Sequence, residues 1–146
     1  TARLSAACTH NHPEGIKGAQ CVAHAIALAL SGSGKDEIKQ IATHTYGYDL
    51  STNCAALRES YYFNETCQGT VPQAFICFLE SRDFESALRL AVSIGGDSDT
   101  LAAITGGIAE AYYGIPKDIE NQALAYLPEE FQQVIWEFRD KVKGKK

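Results

Sequence analysis

The sequence predicts an all-α protein with a single domain over residues 1–146. Apolar residues recur at intervals of three and four in nearly every segment, as they do on the buried face of a helix. Neither strand-like alternation nor a βαβ order is found in the sequence. With 45% hydrophobic and 21% charged residues, the 146-residue chain has an ordinary globular composition and is long enough for one core.

The first helices are predicted from apolar periodicity and from the residues that end them. Residues 1–8 resemble the end of a helix already in progress, because no capping residue precedes them, and we expect the protein to begin upstream. A helix over 16–30 follows from the spacing of its apolar residues, and 31–34 ends it. The next helix starts near Lys35, with acidic residues in its first turn, and Gly47 closes it.

The middle of the chain gives a weaker pattern. Residues 48–70 mix apolar and polar side chains, which predicts a short helix near 53–58 followed by loop. Pro72 is placed in the first turn of a helix that runs to Phe78 or Leu79, because proline is tolerated there. Another helix is predicted over 84–92.

The most apolar helix is predicted to begin at the turn 95–100, to run to Gly114 and to be central, because its Ala and Gly content allows close helix contacts. A helix over 117–125 follows, and Pro128 opens the last one. The last helix carries an apolar stripe that we expect in the core together with Trp136: Phe131, Val134, Ile135, Phe138.

Charge and cysteine usage narrow the functional classes. The net charge of -5 is spread along the chain, and the basic residues cluster only at 141–146, which argues against nucleic acid as the main ligand. Five cysteines without a CxxC pair, and no signal peptide, favour a reducing cytoplasm. No apolar run is long enough to predict a membrane span.

The turn at 97–100 carries the clearest chemistry. Asp97, Ser98, Asp99 and Thr100 follow two glycines at a helix start, and clustered carboxylate and hydroxyl oxygens suit Mg²⁺ or Mn²⁺. Plain N-capping is the alternative, because Asp, Ser and Thr are preferred at that position. Metal binding is favoured because a helix start needs only one capping residue, whereas this turn offers four in a row. The two carboxylates would also repel each other without a cation.

Three segments, in this order along the chain, resemble the ADP-ribosylglycohydrolases of the dinitrogenase-reductase-activating glycohydrolase and ADP-ribosyl-acceptor hydrolase type. Residues 93–106 (SIGGDSDTLAAITG) are similar to the C-terminal signature of that family. Residues 9–19 (THNHPEGIKGA) resemble its Thr-His loop, and 69–79 (GTVPQAFICFL) resemble the segment upstream of the metal turn.

The resemblance implies a compact orthogonal bundle of helices with two Mg²⁺ ions, or Mn²⁺ in some members, in a cleft. It implies hydrolysis of the glycosidic bond of an ADP-ribosyl group, so that ADP-ribose or an ADP-ribosylated substrate is the expected partner. By the same resemblance Asp97, Asp99 and Thr100 are expected to bind metal, and His10 to line the ADP-ribose pocket. Gln68 and Gly69 are further substrate-binding candidates.

The chain departs from the family pattern in one respect. The other metal ligands of the family, an acidic residue near the start and a Thr-Asp-Asp type run, have no counterpart here. We therefore expect the catalytic carboxylate and the N-terminal half of the domain to lie upstream, with that half or a second copy covering exposed surface. Whether this chain is an enzyme stays open, and a non-enzymatic ADP-ribose-binding or crystallin-like member, or an inactive fragment, is the alternative.

Overall fold

A computed structural model describes residues 1–143, and every regular element in this range is a helix. The all-α prediction is therefore confirmed. None of these helices combines the length and the apolar character that crossing a membrane requires. The helices are α1 (Ala2–Ala7), α2 (Pro13–Leu30), α3 (Lys35–Gln40, continued by a π-helical turn Ile41–Thr45), α4 (Cys54–Ser60), α5 (Cys67–Glu80), α6 (Phe84–Ile94), α7 (Ser98–Tyr113), α8 (Lys117–Ala125) and α9 (Glu129–Lys143).

The described residues form two compact units, the first from Thr1 to Gly114 and the second beginning at Ile115. In the first unit α7 packs against α2, α5 and α6, so the prediction of a central helix agrees with the packing. Its side chains Leu101 and Ile108 are fully buried. Thr105 is buried as well, and its hydroxyl donates a hydrogen bond to the Ala74 carbonyl at 3.1 Å, which ties α7 to α5.

Helix α5 begins five residues before Pro72, so the prediction that this proline opens the helix is wrong. Thr66 caps the helix instead, because its hydroxyl accepts the Gly69 N–H at 3.1 Å. The Thr70 hydroxyl donates to the Asn64 carbonyl at 3.0 Å and anchors the preceding loop to the same turn. Local capping therefore outweighs the missing N–H of a proline inside the helix.

Helix α2 also begins earlier than predicted, at Pro13 instead of residue 16. The ring nitrogen Nδ1 of His12 accepts the Glu14 N–H at 3.2 Å, and Pro13 occupies the first helical position, which suits its fixed φ. Histidine is an unusual capping residue, so the only sequence signal for this start is Pro13, which the prediction assigned to the preceding loop.

The second unit contains α8 and α9. Glu120 of α8 accepts from Lys117 at 2.6 Å and pairs with Arg139 of α9 at 2.5 Å. The predicted core stripe of α9 is wrong for three of its four residues, because Phe131, Val134 and Phe138 are more than half exposed. Trp136, which was also expected in the core, is 49% exposed. Helical periodicity shows that one face of a helix is apolar, but it does not show whether another part of the protein covers that face.

Candidate metal-binding turn and its surroundings

The connection from α6 to α7 is shaped by two glycines. Gly95 has φ +79° and Gly96 has φ +61°, backbone conformations that side chains with a Cβ rarely adopt. A Cβ on Gly96 would also lie 2.7 Å from Cε1 of Tyr61 and 3.2 Å from the Phe63 nitrogen. Glycine is therefore required at 96 for conformation and for space, and the pair of glycines brings Asp97 to the start of α7.

Asp97 occupies the N-cap position of α7, but its carboxylate accepts no capping hydrogen bond. The backbone there has φ -80° and ψ 60°, away from the extended conformation of an ordinary N-cap. The capping interpretation of the turn therefore fails for this residue, because its side chain is not used by the helix.

The two carboxylates of the turn lie close together at the surface. The neighbouring Asp97 carboxyl, and then the backbone N–H groups of Asp99 and Thr100, hold the pKa of Asp99 below its ordinary value. Asp99 and Thr100 are exposed, and Asp97 is partly exposed. The lowered pKa keeps Asp99 ionised at neutral pH, so the turn presents an anionic oxygen ligand of the kind that a hard cation favours.

The donor set of the turn fits Mg²⁺ or Mn²⁺, which favour oxygen ligands. Within residues 1–143 no group of three or more His, Cys, Asp or Glu side chains lies close enough to hold a metal ion. The turn therefore supplies two carboxylates and the Thr100 hydroxyl, and an octahedral ion bound there needs further ligands from water, substrate or other protein groups.

Tyr61 belongs to the surroundings of this turn and was missed in the sequence, where it falls in the predicted loop. Its ring packs against Gly96, and its hydroxyl is buried. Burial raises the pKa of the Tyr61 phenol, and the negative charge of Asp97 adds to the shift. The signal that could have identified it was three consecutive aromatic residues, 61–63, in an otherwise polar segment.

His10 lies in a different surface from the metal turn. It is exposed, its Nδ1 lies 2.8 Å from the Thr9 hydroxyl, and it lines an apolar groove of about 430 Å³ among α1, α2, α5 and α7. The groove is otherwise lined by apolar and small residues such as Val22, Val71 and Ile104. The lining of this apolar groove does not include the metal turn, and the role of His10 stays a prediction.

Gln68 and Gly69 lie in the first turn of α5, where the sequence predicted loop. Gly69 is packed against the Asn64 side chain, which leaves no room for a Cβ. Gln68 lines a polar cleft together with Glu14, Lys17 and Tyr48, and this cleft does not include residues 97–100. The predicted site residues are thus spread over three surfaces, and only Asp97, Asp99 and Thr100 are brought together.

Comparison with known proteins adds an independent line of information. The family model described as ADP-ribosylglycohydrolase matches residues 1–145. An uncharacterized protein of Archaeoglobus fulgidus is 33% identical over 131 residues, which cover 80% of this chain and 43% of that protein. ADP-ribosylarginine hydrolase Tri1 of Pseudomonas putida is 28% identical over 116 residues, 73% of this chain and 30% of the relative.

ADP-ribosylhydrolase ARH3 of Homo sapiens is 33% identical over 75 residues, which cover 44% of this chain and 18% of that protein. The chain thus spans less than half the length of each of these relatives. No solved structure matches the chain.

Proposed function

The chain belongs to the ADP-ribosylglycohydrolase family, and from this premise we propose that its 97–100 turn supplies part of a dinuclear Mg²⁺ site that hydrolyses the glycosidic bond of ADP-ribosyl groups. The observation that carries the proposal is the Asp97 carboxylate. It stands at a helix start without capping the helix and lies beside Asp99, so both carboxylates are available to a cation.

In this proposal Asp97, Asp99 and Thr100 hold the metal. When bound, Mg²⁺ supplies charge that orients the ribose hydroxyls and a nearby water molecule. Cleavage at the anomeric carbon passes through an oxocarbenium-like transition state, which carboxylates nearby stabilise. Tyr61 acts as a positioning residue, because its ring packs on Gly96 and thereby supports the backbone that presents Asp97.

The remaining ligands and the carboxylate that activates water are proposed to come from the N-terminal half of the family domain. The length of the relatives supports this, because the chain aligns with 43% and 30% of the first two. The apolar groove beside His10 is the surface that we expect this half to cover, since exposed apolar surface of this kind commonly marks an interface.

The shortage of metal ligands favours a second candidate, a non-catalytic protein that binds ADP-ribose or has a structural role. Two carboxylates and one hydroxyl are enough to position one ion but not to fill the coordination shells of two. This candidate predicts that ADP-ribose binds and that no substrate is cleaved under any condition.

The experiment combines this chain with the N-terminal half of the Archaeoglobus fulgidus relative and measures ADP-ribose released from ADP-ribosylarginine in Mg²⁺. The proposed function predicts release only with both polypeptides and Mg²⁺, and loss of at least about a hundredfold in rate for Asp99→Asn, as for removal of a key charge-stabilising group. Arg82→Gln, an exposed substitution away from the turn, is the matched control and should keep full activity. Equal rates for Asp99→Asn and the control would contradict the proposal.

A further inference from the structure

The start of α2 is held by the side chain of a histidine. The Nδ1 atom of His12 accepts the Glu14 N–H at 3.2 Å, and the His12 backbone is extended, with φ -91° and ψ 141°. We propose that His12 is a proton-sensitive N-cap, so that acid in the range where histidine gains its proton loosens the first turn of α2. The cap shares no residue with the 97–100 turn, so it does not depend on the proposed hydrolase activity.

The cap requires the neutral form of the imidazole ring. A neutral ring has one nitrogen that accepts a hydrogen bond and one that carries a proton, whereas both nitrogens of the charged ring are donors. Because Nδ1 of His12 accepts the Glu14 N–H, its ring proton belongs on Nε2. A proton added to Nδ1 turns the acceptor into a donor that faces another donor, and the hydrogen bond is lost.

The first turn of α2 is sensitive to the loss of this bond. Pro13 has no N–H, so Glu14 carries the first N–H of the helix that needs an acceptor. A positive charge at this end of a helix is also unfavourable, because the helix dipole is positive there. Protonation of His12 therefore acts twice, through the lost hydrogen bond and through repulsion by the dipole.

Other titratable and charged groups surround this end of α2. They belong to α1, the loop before α2, α2 itself, the 47–52 segment and α5: Cys8, His10, Glu14, Lys17, Tyr48, Asp49, Cys67. The Glu14 carboxylate would favour a charged His12, but it pairs with Lys17 at 2.6 Å, which compensates its charge. Among these residue types only histidine ordinarily changes charge between pH 5 and 8, so His10 is the one group that titrates in the same range.

Loosening of the first turn affects one wall of the apolar groove. A Cβ on Gly15 would lie 3.1 Å from the His10 carbonyl oxygen, so the loop before α2 is folded tightly over this turn. His10 and Gly15 both line the apolar groove. Protonation of His12 therefore acts on the surface that carries His10, and we expect acid to make this wall of the groove less ordered.

The test is urea unfolding of the full chain and its variants at about pH 8 and about pH 5.5. His12→Asn supplies a cap that does not titrate, and His12→Ala supplies no side-chain cap. At the higher pH the wild type should lie close to His12→Asn, with a urea midpoint about 0.3–1 M above that of His12→Ala, as for one N-cap. At the lower pH the wild type should fall to the midpoint of His12→Ala or below it, while the difference between the two variants stays constant.

Comparison with His12→Asn cancels the titration of His10, which is present in both proteins. His44→Asn is the matched control, because it removes an exposed histidine from the π-helical turn, outside α2. This variant should keep the pH dependence of the wild type. A midpoint difference between the wild type and His12→Asn that is the same at both pH values would overturn the proposal. A pH dependence that His44→Asn removes as fully as His12→Asn would overturn it too.

Discussion

Helices α6 and α7 both begin after an aspartate, yet they use it in different ways. At α6 the Asp83 carboxylate accepts the Ser86 N–H at 2.7 Å, and the Ser86 hydroxyl accepts the Asp83 N–H at 3.0 Å, which forms a capping box. At α7 the Asp97 carboxylate makes no such bond. The same residue type at the same helical position therefore caps the helix in one place and does not cap it in the other.

The backbone conformation around each aspartate explains why Asp83 caps its helix and Asp97 does not. Asp83 is extended, with φ -157° and ψ 175°, which directs its side chain over the first turn. Asp97 has ψ 60° and follows two glycines with positive φ. A helix that leaves its first turn without a side-chain cap gives up stability, and such losses are common where residues are kept for function.

The largest effect is expected for Gly96→Ala, which changes the backbone conformation that distinguishes the start of α7 from the start of α6. The new Cβ is strained at φ +61° and lies 2.7 Å from the Tyr61 ring, so we expect about 2–3 kcal/mol lower free energy of unfolding. Gly47→Ala, at φ +69° with nothing within 4 Å of its Cβ, is the control for strain alone and should lose about 1 kcal/mol. Urea unfolding measures the free energy of unfolding of both variants. Equal losses would show that the close contact with the Tyr61 ring adds nothing to the backbone strain.

A smaller effect is expected when each aspartate is replaced by alanine. Asp83→Ala breaks the capping box and should lower Tm, whereas Asp97→Ala removes a carboxylate that caps nothing. Without metal, Asp97→Ala should therefore leave Tm nearly unchanged. Thermal unfolding followed by circular dichroism in EDTA compares the two variants. An equal loss of Tm in both would contradict the prediction that only Asp83 stabilises its helix start.

The smallest expected effect is the loss at low pH of the stability that ionised Asp83 contributes. The backbone N–H of Ser86, and then its side chain, hold the pKa of Asp83 below its ordinary value. A lowered pKa in the folded state means that ionised Asp83 adds stability at pH values above about 4, its ordinary range, and that this contribution is lost as pH falls through the lowered pKa. The stability difference between the wild type and Asp83→Asn should be constant above that pH and shrink below it, as urea unfolding at several pH values would record.

The sequence predicted the helical fold, the central position of α7 and the Asp97–Asp99–Thr100 turn, because apolar period and residue type determine these locally. It did not predict the Thr66 cap, the approach of Tyr61 to Gly96 or the His12 cap. Each of these depends on residues distant in sequence, or on a side-chain choice that propensity does not decide. The sequence could not show that Asp97 does not cap α7 either, because capping and metal binding use the same residue types.

Binding of Mg²⁺ to the turn is the central claim, and isothermal titration calorimetry of Mg²⁺ into this chain with ADP-ribose present tests it most directly. We predict saturable binding for the wild type and for Asp83→Asn, the matched aspartate at the other helix start, and loss of binding for Asp97→Asn and Asp99→Asn. Heat that is unchanged by Asp97→Asn and Asp99→Asn, or absent from the wild type, would contradict the claim.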